Sequence, residues 1–267
     1  MNALSKMPRS GAKMPHSGAL HYAFLVLKEH PYGREMLSQL LAAGAGFAPA
    51  VVVEEASPVA DEERQKFDER LAGQPLPPTF DAICRRANRL AGRGIRRMEV
   101  PDHNQRECER LLEEVAPELL VLGGTRILRP SIFTIAPAGA LNSHPGLLPQ
   151  VRGSASVAWS IYHDVPIGAT CHFIDAKIDT GDIVGQRIIP VRRGDTYEKL
   201  VRQTMVLAGR LMVEALEQFA AIDPTANRRL TGTPQPAGGH TYKVMPPELL
   251  AEVKAKLAEG RYKHFVD

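Results

Sequence analysis

Four short strand-like segments, each separated from the next by a helix-length stretch, constrain this chain more than any other feature. They are Tyr22–Leu27, Ala50–Val53, Arg97–Val100 and Leu119–Leu122, and three of the four are continuous apolar runs. Apolar runs of this length are typical of strands that are buried on both faces of a parallel sheet. The alternation therefore predicts a doubly wound α/β sheet.

The stretches between these segments carry the signals of helix ends. A helix is predicted to begin at Pro31, which suits the first helical position, and to end before Gly44. A second helix is predicted from Thr79, acting as its N-cap, to Arg93. Residues 54–78 are acidic and then proline-rich, which predicts an insertion or mobile excursion with room for a short helix. We assign no role to this insertion.

The pattern Asn104-x-x-Glu107 resembles a capping box and predicts a third helix, which ends near Val115. After Gly123 glycine and proline become frequent, and helices no longer separate the strands regularly. The strands predicted over 167–175 and 183–191 are expected to pair as a hairpin. The remaining predicted elements are helices over 154–163, 195–221 and 247–259, and strands over 138–142, 167–175 and 183–191.

Composition excludes several classes of protein. Lys and Arg number 33 and Asp and Glu 30, and this net charge of +3 is too small and too evenly spread to indicate a nucleic-acid partner. The cysteines Cys84, Cys108 and Cys171 form no C-x-x-C pair, so a reducing, cytoplasmic compartment fits better than a disulfide framework or zinc knuckle. No apolar run approaches the roughly 18 residues of a membrane span, so no membrane partner is expected.

The turn after the first strand lacks the nucleotide-binding patterns common in α/β proteins. Its sequence, Lys28-Glu-His-Pro-Tyr-Gly-Arg34, contains neither G-x-G-x-x-G nor G-x-x-x-x-G-K-[ST], which excludes a dinucleotide fingerprint and a P-loop there. The chain also contains no G-x-S-x-G nucleophile elbow and no H-E-x-x-H zinc motif. We therefore expect no metal.

The segment Leu141-Asn-Ser-His-Pro-Gly-Leu-Leu-Pro149 places an amide and an imidazole at the end of a predicted strand. Asn142 and His144 are two residues apart, so their side chains leave an extended strand on the same side. Ligands of doubly wound sheets bind beyond the carboxyl ends of the strands. An amide N–H can stabilise an oxyanion and an imidazole can move protons near neutral pH, and acyl transfer uses both.

A carboxylate beside His144 would orient the imidazole and stabilise its charged form. Asp179 lies in a glycine-containing turn between two predicted strands, a turn that can return it over the same crevice, and Asp182 is a competing carboxylate in that loop. Both signals also have purely structural explanations, because Asn-x-His is common at strand ends and Asp and Gly favour turns for backbone reasons. The residues alone leave both interpretations open.

Taken together, these motifs resemble the 10-formyltetrahydrofolate-dependent formyltransferases, which include glycinamide ribonucleotide, methionyl-tRNA and amino-sugar formyltransferases. The resemblance runs from about Leu119 to Val191, and more loosely from the first strand to the long helix. It implies a Rossmann-like α/β fold, a mostly parallel twisted sheet flanked by helices, with a short C-terminal extension. The matching segments are Leu141–Pro149, Arg152-Gly153, Asp179-Thr-Gly-Asp-Ile183, Val121–Leu128 and Gly168–Phe173.

The resemblance also implies a direct transfer, in which an acceptor amine attacks the formyl carbon carried on N10 of the folate. Asn142 would bond to the carbonyl oxygen as it becomes an oxyanion. His144 would help to stabilise that charge and move protons, and Asp179 would tune His144 and assist removal of the amine proton. Neither a covalent enzyme intermediate nor a metal is implied.

The same resemblance assigns residues to the pterin of 10-formyltetrahydrofolate, the cosubstrate. Backbone groups of Arg126–Leu128 would line one side of the pterin, and the loop from Asp175 to Asp179 would line the other. Two residues of the strand over 167–175 are candidates for a supporting role in the pocket. The implied cofactor-binding residues are Arg126, Ile127, Leu128, Asp175 and Ile178, and the implied supporting residues are His172 and Thr170.

We expect three parts along the chain. Residues 1–19 are rich in Ser, Gly, Pro and Lys and lack the apolar core of a signal peptide, so they are expected to form a disordered tail. Residues 20–222 would form the formyltransferase catalytic domain. Residues 223–267 would form a C-terminal extension that packs on this body or is partly mobile. The oligomeric state is left open, with a homo-oligomer among the alternatives.

Departures from the relatives bear on the acceptor. The ribonucleotide enzymes carry a Gly/Ser/Asn phosphate loop where this chain has Lys28–Arg34, although Arg34 is a candidate phosphate contact as well as a candidate solvated helix residue. The tRNA enzymes carry a C-terminal β-barrel domain, whereas residues 223–267 are short and proline-rich. A small-molecule amine, such as a nucleotide-linked amino sugar, is therefore expected, and Tyr242 would stack on its base or sugar or else pack on the body.

Several alternatives to this acceptor stay open. They are a glycinamide ribonucleotide or methionyl-tRNA formyltransferase, a hydrolase that passes the formyl group of formyltetrahydrofolate to water, and a non-catalytic folate or nucleotide binder. Release of formate without an amine would favour the hydrolase. Binding of ligand without turnover would favour the binder, although a binder has no need of a proton-transferring His144.

Overall fold

A computed structural model of the chain describes residues 20–91, 94–225 and 227–266. The expectation for residues 1–19 lies outside the described residues. The strands are β1 Tyr22–Leu27, β2 Val51–Glu55, β3 Arg97–Val100, β4 Leu119–Leu122, β5 Ala140–His144, β6 Val151–Gly153, β7 Gly168–Phe173, β8 Ile183–Ile188 and β9 His240–Tyr242. The helices are α1 Pro31–Ala43, α2 Pro58–Arg70, α3 Phe80–Ala91, α4 Arg106–Val115, α5 Pro130–Phe133, α6 Ser156–Tyr162, α7 Tyr197–Ala220 and α8 Pro247–Ala258, with a 3₁₀ turn at Ala45–Phe47.

One sheet has the strand order β3-β2-β1-β4-β5-β7-β8. The first five of these strands run parallel, whereas β7 is antiparallel to β5 and β8 to β7. The last two form the predicted hairpin. The order reverses between β1 and β4, and the carboxyl ends of strands at such a point form the usual ligand crevice. The predicted α/β fold with a mostly parallel sheet is confirmed.

Strand β1 is buried on both faces, and its residues alternate between two cores. Tyr22, Phe24 and Val26 pack in a core that also contains apolar residues of α1 and α7. Ala23 and Leu25 pack in a second core, with residues of α4 and α5. This period-two alternation places helices on both sides of the sheet, as a doubly wound architecture requires.

The interpretation of residues 54–78 as an excursion is wrong for most of the segment. Glu54 and Glu55 belong to β2 and are buried, and a regular helix, α2, follows directly. The hydroxyl of Ser57 caps α2 by accepting a hydrogen bond from the Ala60 N–H (3.1 Å). The acidic residues at this strand end have cationic partners, Glu54 pairing with Arg97 at 2.7 Å, and paired charges can be buried where unpaired ones cannot.

The N-cap predicted for α3 is confirmed, because the Thr79 hydroxyl accepts a hydrogen bond from the Ala82 N–H (3.3 Å). The predicted end of this helix at Arg93 lies outside the described residues. Among the helices of the described ranges, none combines the length and the apolar character that crossing a membrane requires.

The C-terminal extension carries a strand that the sequence pattern does not indicate. Strand β9 pairs in parallel with β6, with Gly153 opposite Tyr242. Further contacts join the extension to the body: Thr233 bridges Ile183 of β8, and the buried Arg228 pairs with Glu118. The division of the chain into three parts stays a prediction.

Candidate active site

Strand β5 carries both residues of the predicted Asn-x-His motif. It ends two residues later than predicted, so that His144 is its last residue, and Pro145 follows it. In register, Asn142 lies opposite Leu122 of β4 and His172 of β7, and His144 lies opposite Thr170. The motif therefore lies where the parallel part of the sheet meets the antiparallel hairpin.

His144 is buried, and both ring nitrogens face oxygen acceptors. Its Nδ1 lies 3.3 Å from the Oδ2 of Asp179, and its Nε2 lies 2.8 Å from the carbonyl oxygen of Val151 and 3.1 Å from the hydroxyl of Ser156. Burial lowers the pKa of His144 and the charge of Asp179 raises it, and the net pKa is below the ordinary value. At neutral pH the ring is thus uncharged. If the ring takes up a second proton, both N–H groups face oxygen acceptors, on Asp179 and Val151.

Asp179 comes from the loop between β7 and β8. Its Oδ2 accepts a hydrogen bond from the Gly153 N–H (2.8 Å), and its Oδ1 lies 3.5 Å from the Nε2 of His172. Burial raises the pKa of this carboxyl, but His144, His172 and the Gly153 N–H lower it by more, so the pKa is well below its usual range. Asp179 is therefore ionised at neutral pH and holds a negative charge beside His144.

His172 lies close to both the amide of Asn142 and the carboxylate of Asp179. The Nδ1 of His172 lies 2.7 Å from the carbonyl oxygen of Phe173, which it can approach only as a donor. The Nε2 of His172 lies 3.4 Å from the Nδ2 of Asn142 and 3.5 Å from the Oδ1 of Asp179. The Asn142 amide N–H group has no oxygen acceptor among the described residues and is suited to an oxyanion.

Thr170 lies opposite His144 in the register of β5 and β7, and it supports the loop that follows β5. Its hydroxyl donates to the carbonyl oxygen of Gly146 (2.7 Å) and accepts from the Leu148 N–H (3.2 Å) and from the Nε2 of Gln186 (2.8 Å). This loop leads to Val151, whose carbonyl oxygen contacts His144. Asp182, the competing carboxylate, is exposed and makes no ion pair with either histidine in the described part of the chain.

The segment predicted to line one side of the pterin leaves the sheet after β4, next to Asn142. Asn104 holds it at two points: its Nδ2 donates to the carbonyl oxygen of Ile127 (3.0 Å), and its Oδ1 accepts from the Arg129 N–H (2.7 Å). The predicted capping box is therefore wrong. Gln105 is the N-cap of α4, and the Asn104 side chain bonds to the neighbouring loop instead.

Two carboxylates hold the Arg126 side chain. The Nε lies 2.8 Å from the Oε1 of Glu55, and the Nη2 lies 2.8 Å from the Oδ2 of Asp102. Burial raises the pKa of Glu55, but hydrogen bonds from His103 and Ser57 lower it to about 2. Sequence reasoning missed this cluster; two acidic residues directly after an apolar strand were its only signal.

The two loops assigned to the pterin present apolar side chains to solvent. Ile127 is 73% exposed and Ile178 is 41% exposed, whereas Leu128 is buried. The carboxylate of Asp175 is used within its own loop, where it accepts a hydrogen bond from the Thr180 hydroxyl (2.6 Å). Exposed isoleucines of this kind can contact the faces of a flat ring, and the assignment of the two loops to the pterin stays a prediction.

Two further expectations concerned the acceptor. Arg34 is neither solvated nor available to a phosphate: it is 8% exposed, pairs with Glu29 (3.6 Å) and donates to the carbonyl oxygen of Pro77 (2.5 Å). Tyr242 packs on the body, with its ring stacked on Trp159 at a centroid distance of 4.7 Å. Across the described residues, no group of three or more His, Cys, Asp and Glu side chains is arranged to hold a metal ion.

The formyl transferase family model matches residues 22–216, which run from β1 into α7 and include Asn142, His144, His172 and Asp179. This chain belongs to the formyl transferase family. The match confirms the resemblance seen in the motifs and makes the chain a member of a family of formyl-transferring enzymes. The roles of individual residues stay predictions.

Similarity to named proteins extends to more than one branch of the family. The chain is 38% identical over 112 residues to the methionyl-tRNA formyltransferase of Anaeromyxobacter sp. (strain K). The aligned residues make up 41% of this chain and 36% of that protein, so the chain spans about a third of that protein's length. It is 32% identical over 185 residues to the phosphoribosylglycinamide formyltransferase of Mycobacterium tuberculosis (strain CDC 1551 / Oshkosh), covering 65% of this chain and 86% of that one.

The fold is also similar to that of the formyltransferase PseJ from Anoxybacillus kamchatkensis, solved in complex with UDP-4,6-dideoxy-4-formamido-L-AltNAc and tetrahydrofolate. The TM-score is 0.51 with 19% identity, over 84% of this chain and 86% of that chain.

Proposed function

We propose that this protein transfers the formyl group of 10-formyltetrahydrofolate to a primary amine of a small-molecule acceptor. The observation that carries the proposal is the convergence of Asn142, His144 and Asp179, from a strand end and a distant loop, with 3.3 Å between the imidazole and the carboxylate. A donor amide, a neutral buried imidazole and an ionised carboxylate are the groups that acyl transfer to an amine uses.

In the proposed reaction the acceptor nitrogen forms a bond to the formyl carbon, and the carbonyl electron pair moves to the oxygen. The free N–H of Asn142 donates to that oxyanion. The proton lost by the amine passes to the His144–Asp179 pair. When the oxyanion collapses, the bond between the formyl carbon and N10 breaks, N10 takes the proton held by the His144–Asp179 pair, and tetrahydrofolate leaves.

A nucleotide-linked amino sugar is the acceptor that we favour. The first helix begins where the ribonucleotide enzymes carry their phosphate loop, and it offers little to the phosphate of glycinamide ribonucleotide. The Nδ1 of His30 already accepts from the Tyr32 N–H (3.3 Å) at the helix N-terminus, and Arg34 is paired with Glu29. The likeness of 32% over most of a phosphoribosylglycinamide formyltransferase makes glycinamide ribonucleotide the second candidate. The screen described next includes both.

The decisive experiment is a screen of amines with 10-formyltetrahydrofolate, in which tetrahydrofolate and formate are both measured. We expect tetrahydrofolate to form without formate in the presence of a nucleotide-linked amino sugar. Turnover with glycinamide ribonucleotide alone would replace the favoured acceptor, and formate release in water would indicate a hydrolase. Folinic acid, a non-reacting analogue of the donor, should raise the melting temperature, and no rise at saturation would contradict the folate assignment.

Asn142→Ala is expected to lower kcat by about 10²–10³, the usual loss for one oxyanion donor. The KM of the formyl donor should change little, because the lost bond strengthens only as charge develops on the oxygen. Steady-state kinetics of the purified variant check this, with Asn227→Ala at an exposed position as the matched control. A rise in KM with kcat unchanged would contradict the role given to Asn142.

Asn104→Ala is expected to raise the KM of the formyl donor by up to about thirtyfold, because two hydrogen bonds that hold the loop of Ile127 are lost, each worth roughly 1 kcal/mol. The value of kcat should stay within a factor of about three, since the Asn104 side chain bonds to the loop of Ile127 and contacts neither His144 nor Asp179 among the described residues. Asn227→Ala serves again as the control. An unchanged KM would show that this loop does not bind the donor.

A further inference from the structure

The C-terminal extension contacts Asp179, although the extension lies beyond residue 216, where the match to the family model ends. The Nε2 of Gln235 donates to the backbone carbonyl oxygens of Asp179 (2.9 Å) and Gly181 (2.8 Å). Its Oε1 accepts from the Nη2 of Arg152 (2.9 Å). Both amide hydrogens and the amide oxygen therefore have partners of the right kind, which fixes the orientation of this side chain.

The backbone of Asp179 needs such support. Its φ is +52°, in the left-handed region, which costs a non-glycine residue energy and persists only where the surroundings hold it. Its carbonyl oxygen accepts from Gln235 and also from the Nε of Arg152 (3.1 Å). The two donors fix the peptide that turns the carboxylate toward His144.

The extension also lies against the group that holds the carboxylate itself. The Gly153 N–H donates to Asp179, and Gly153 pairs with Tyr242 of β9. Gly153 has a φ of +83°, and a Cβ there would lie 2.3 Å from the Tyr242 carbonyl oxygen, so the two strands approach as closely as glycine allows. Both the backbone and the side chain of Asp179 are thus held by elements that the extension completes.

We infer that Gln235 is a positioning residue that keeps Asp179 against His144, and that the extension forms part of the active site. The inference rests on the proposed function only in taking Asp179 and His144 as the acid–base pair. Gln235 contacts backbone carbonyl oxygens and Arg152 and touches no reacting atom. It acts through the loop peptide, and its loss should move the carboxylate away from the imidazole.

The test is Gln235→Met, which keeps the length of the side chain and removes both donors. Gln218→Met, on the exposed face of α7, is the matched control, and melting temperatures establish that both variants are folded. The titration of His144 is followed by NMR in the protein without ligands, its signals assigned with a His144→Gln variant. The rate of formyl transfer is measured in parallel.

We expect the His144 titration midpoint to move to lower pH in Gln235→Met, because the Asp179 charge that raises it is displaced, and to stay in place in Gln218→Met. We expect kcat to fall about tenfold. In an Asp179→Asn background, Gln235→Met should cause no further loss, since two residues that act through one group are not additive.

An unmoved midpoint with unchanged kcat in a folded Gln235→Met would overturn the inference, and so would an equal loss of rate in the Asp179→Asn background. If Gln235→Met does not fold, Arg152→Lys removes the second donor to the same carbonyl oxygen and is measured in the same way. A shifted midpoint in a protein that formylates no amine would support the role of Gln235 and reject the proposed function, so the two failures are distinguishable.

Discussion

His144→Ala is expected to lower kcat for formyl transfer by about 10²–10⁴, the range that a positioned acid–base side chain supplies. The loss follows from the position of the ring, which is buried, neutral at neutral pH and 3.3 Å from an ionised carboxylate. No other described imidazole can replace it, because the Nδ1 of His172 is bound to a backbone carbonyl oxygen and its Nε2 faces Asn142. Single-turnover and steady-state rates measure the loss.

The control for this variant is His21→Ala, because the His21 imidazole is exposed and its one hydrogen bond among the described residues is to the carbonyl oxygen of Val115. It should retain the rate of the parent protein. Binding of folinic acid to His144→Ala, measured by the rise in melting temperature, should persist. A His144→Ala protein that binds folinic acid and still transfers formyl groups at the parent rate would remove the mechanism.

Asp179→Asn is expected to lower kcat by a similar factor, about 10²–10⁴. The substitution keeps the shape of the side chain but removes the negative charge that raises the pKa of His144. It also presents an amide that can fix the imidazole in the wrong tautomer. The effect should fall on kcat, because the charge of Asp179 matters most when His144 carries the proton of the amine.

Asp182→Asn is a close control for Asp179→Asn, since it makes the same chemical change in the same loop. The Asp182 side chain is exposed and makes no ion pair with either histidine among the described residues, so its variant should keep full activity. Equal losses in the two variants would indicate that the loop tolerates no neutral substitution, and the specific role of Asp179 would then be rejected. Melting temperatures of both proteins separate this outcome from unfolding.

The sheet was predictable because its strands carry their own signal. Strand β1 is six apolar residues buried on both faces, and a parallel sheet covered by helices on both sides buries such a run. The meeting of Asn142 with His144 follows equally from local geometry, since residues two apart on a strand share a side. The approach of Asp179 to His144 was expected from the family resemblance, because turn chemistry alone left Asp182 as a rival.

What was missed depends on contacts between segments distant in sequence. Glu55 looked like the start of an acidic loop because its partner Arg126 is 71 residues away. Asn104 matched a helix cap because the local pattern is the same whether the side chain bonds to its own helix or to a loop near Ile127. Gln235 lies in a stretch without periodicity, and its polar partners become visible only when the extension is folded onto the body.

The parallel pairing of β6 with β9 has a consequence for the making of the protein. The two strands are separated by residues 154–239, about a third of the chain, so their contact cannot form as a local hairpin. The ribosome completes Asp179 and Gly153 long before it reaches Tyr242. A growing polypeptide can therefore assemble the sheet early, but the surroundings of the Asp179 carboxylate are finished only after β9 has been made.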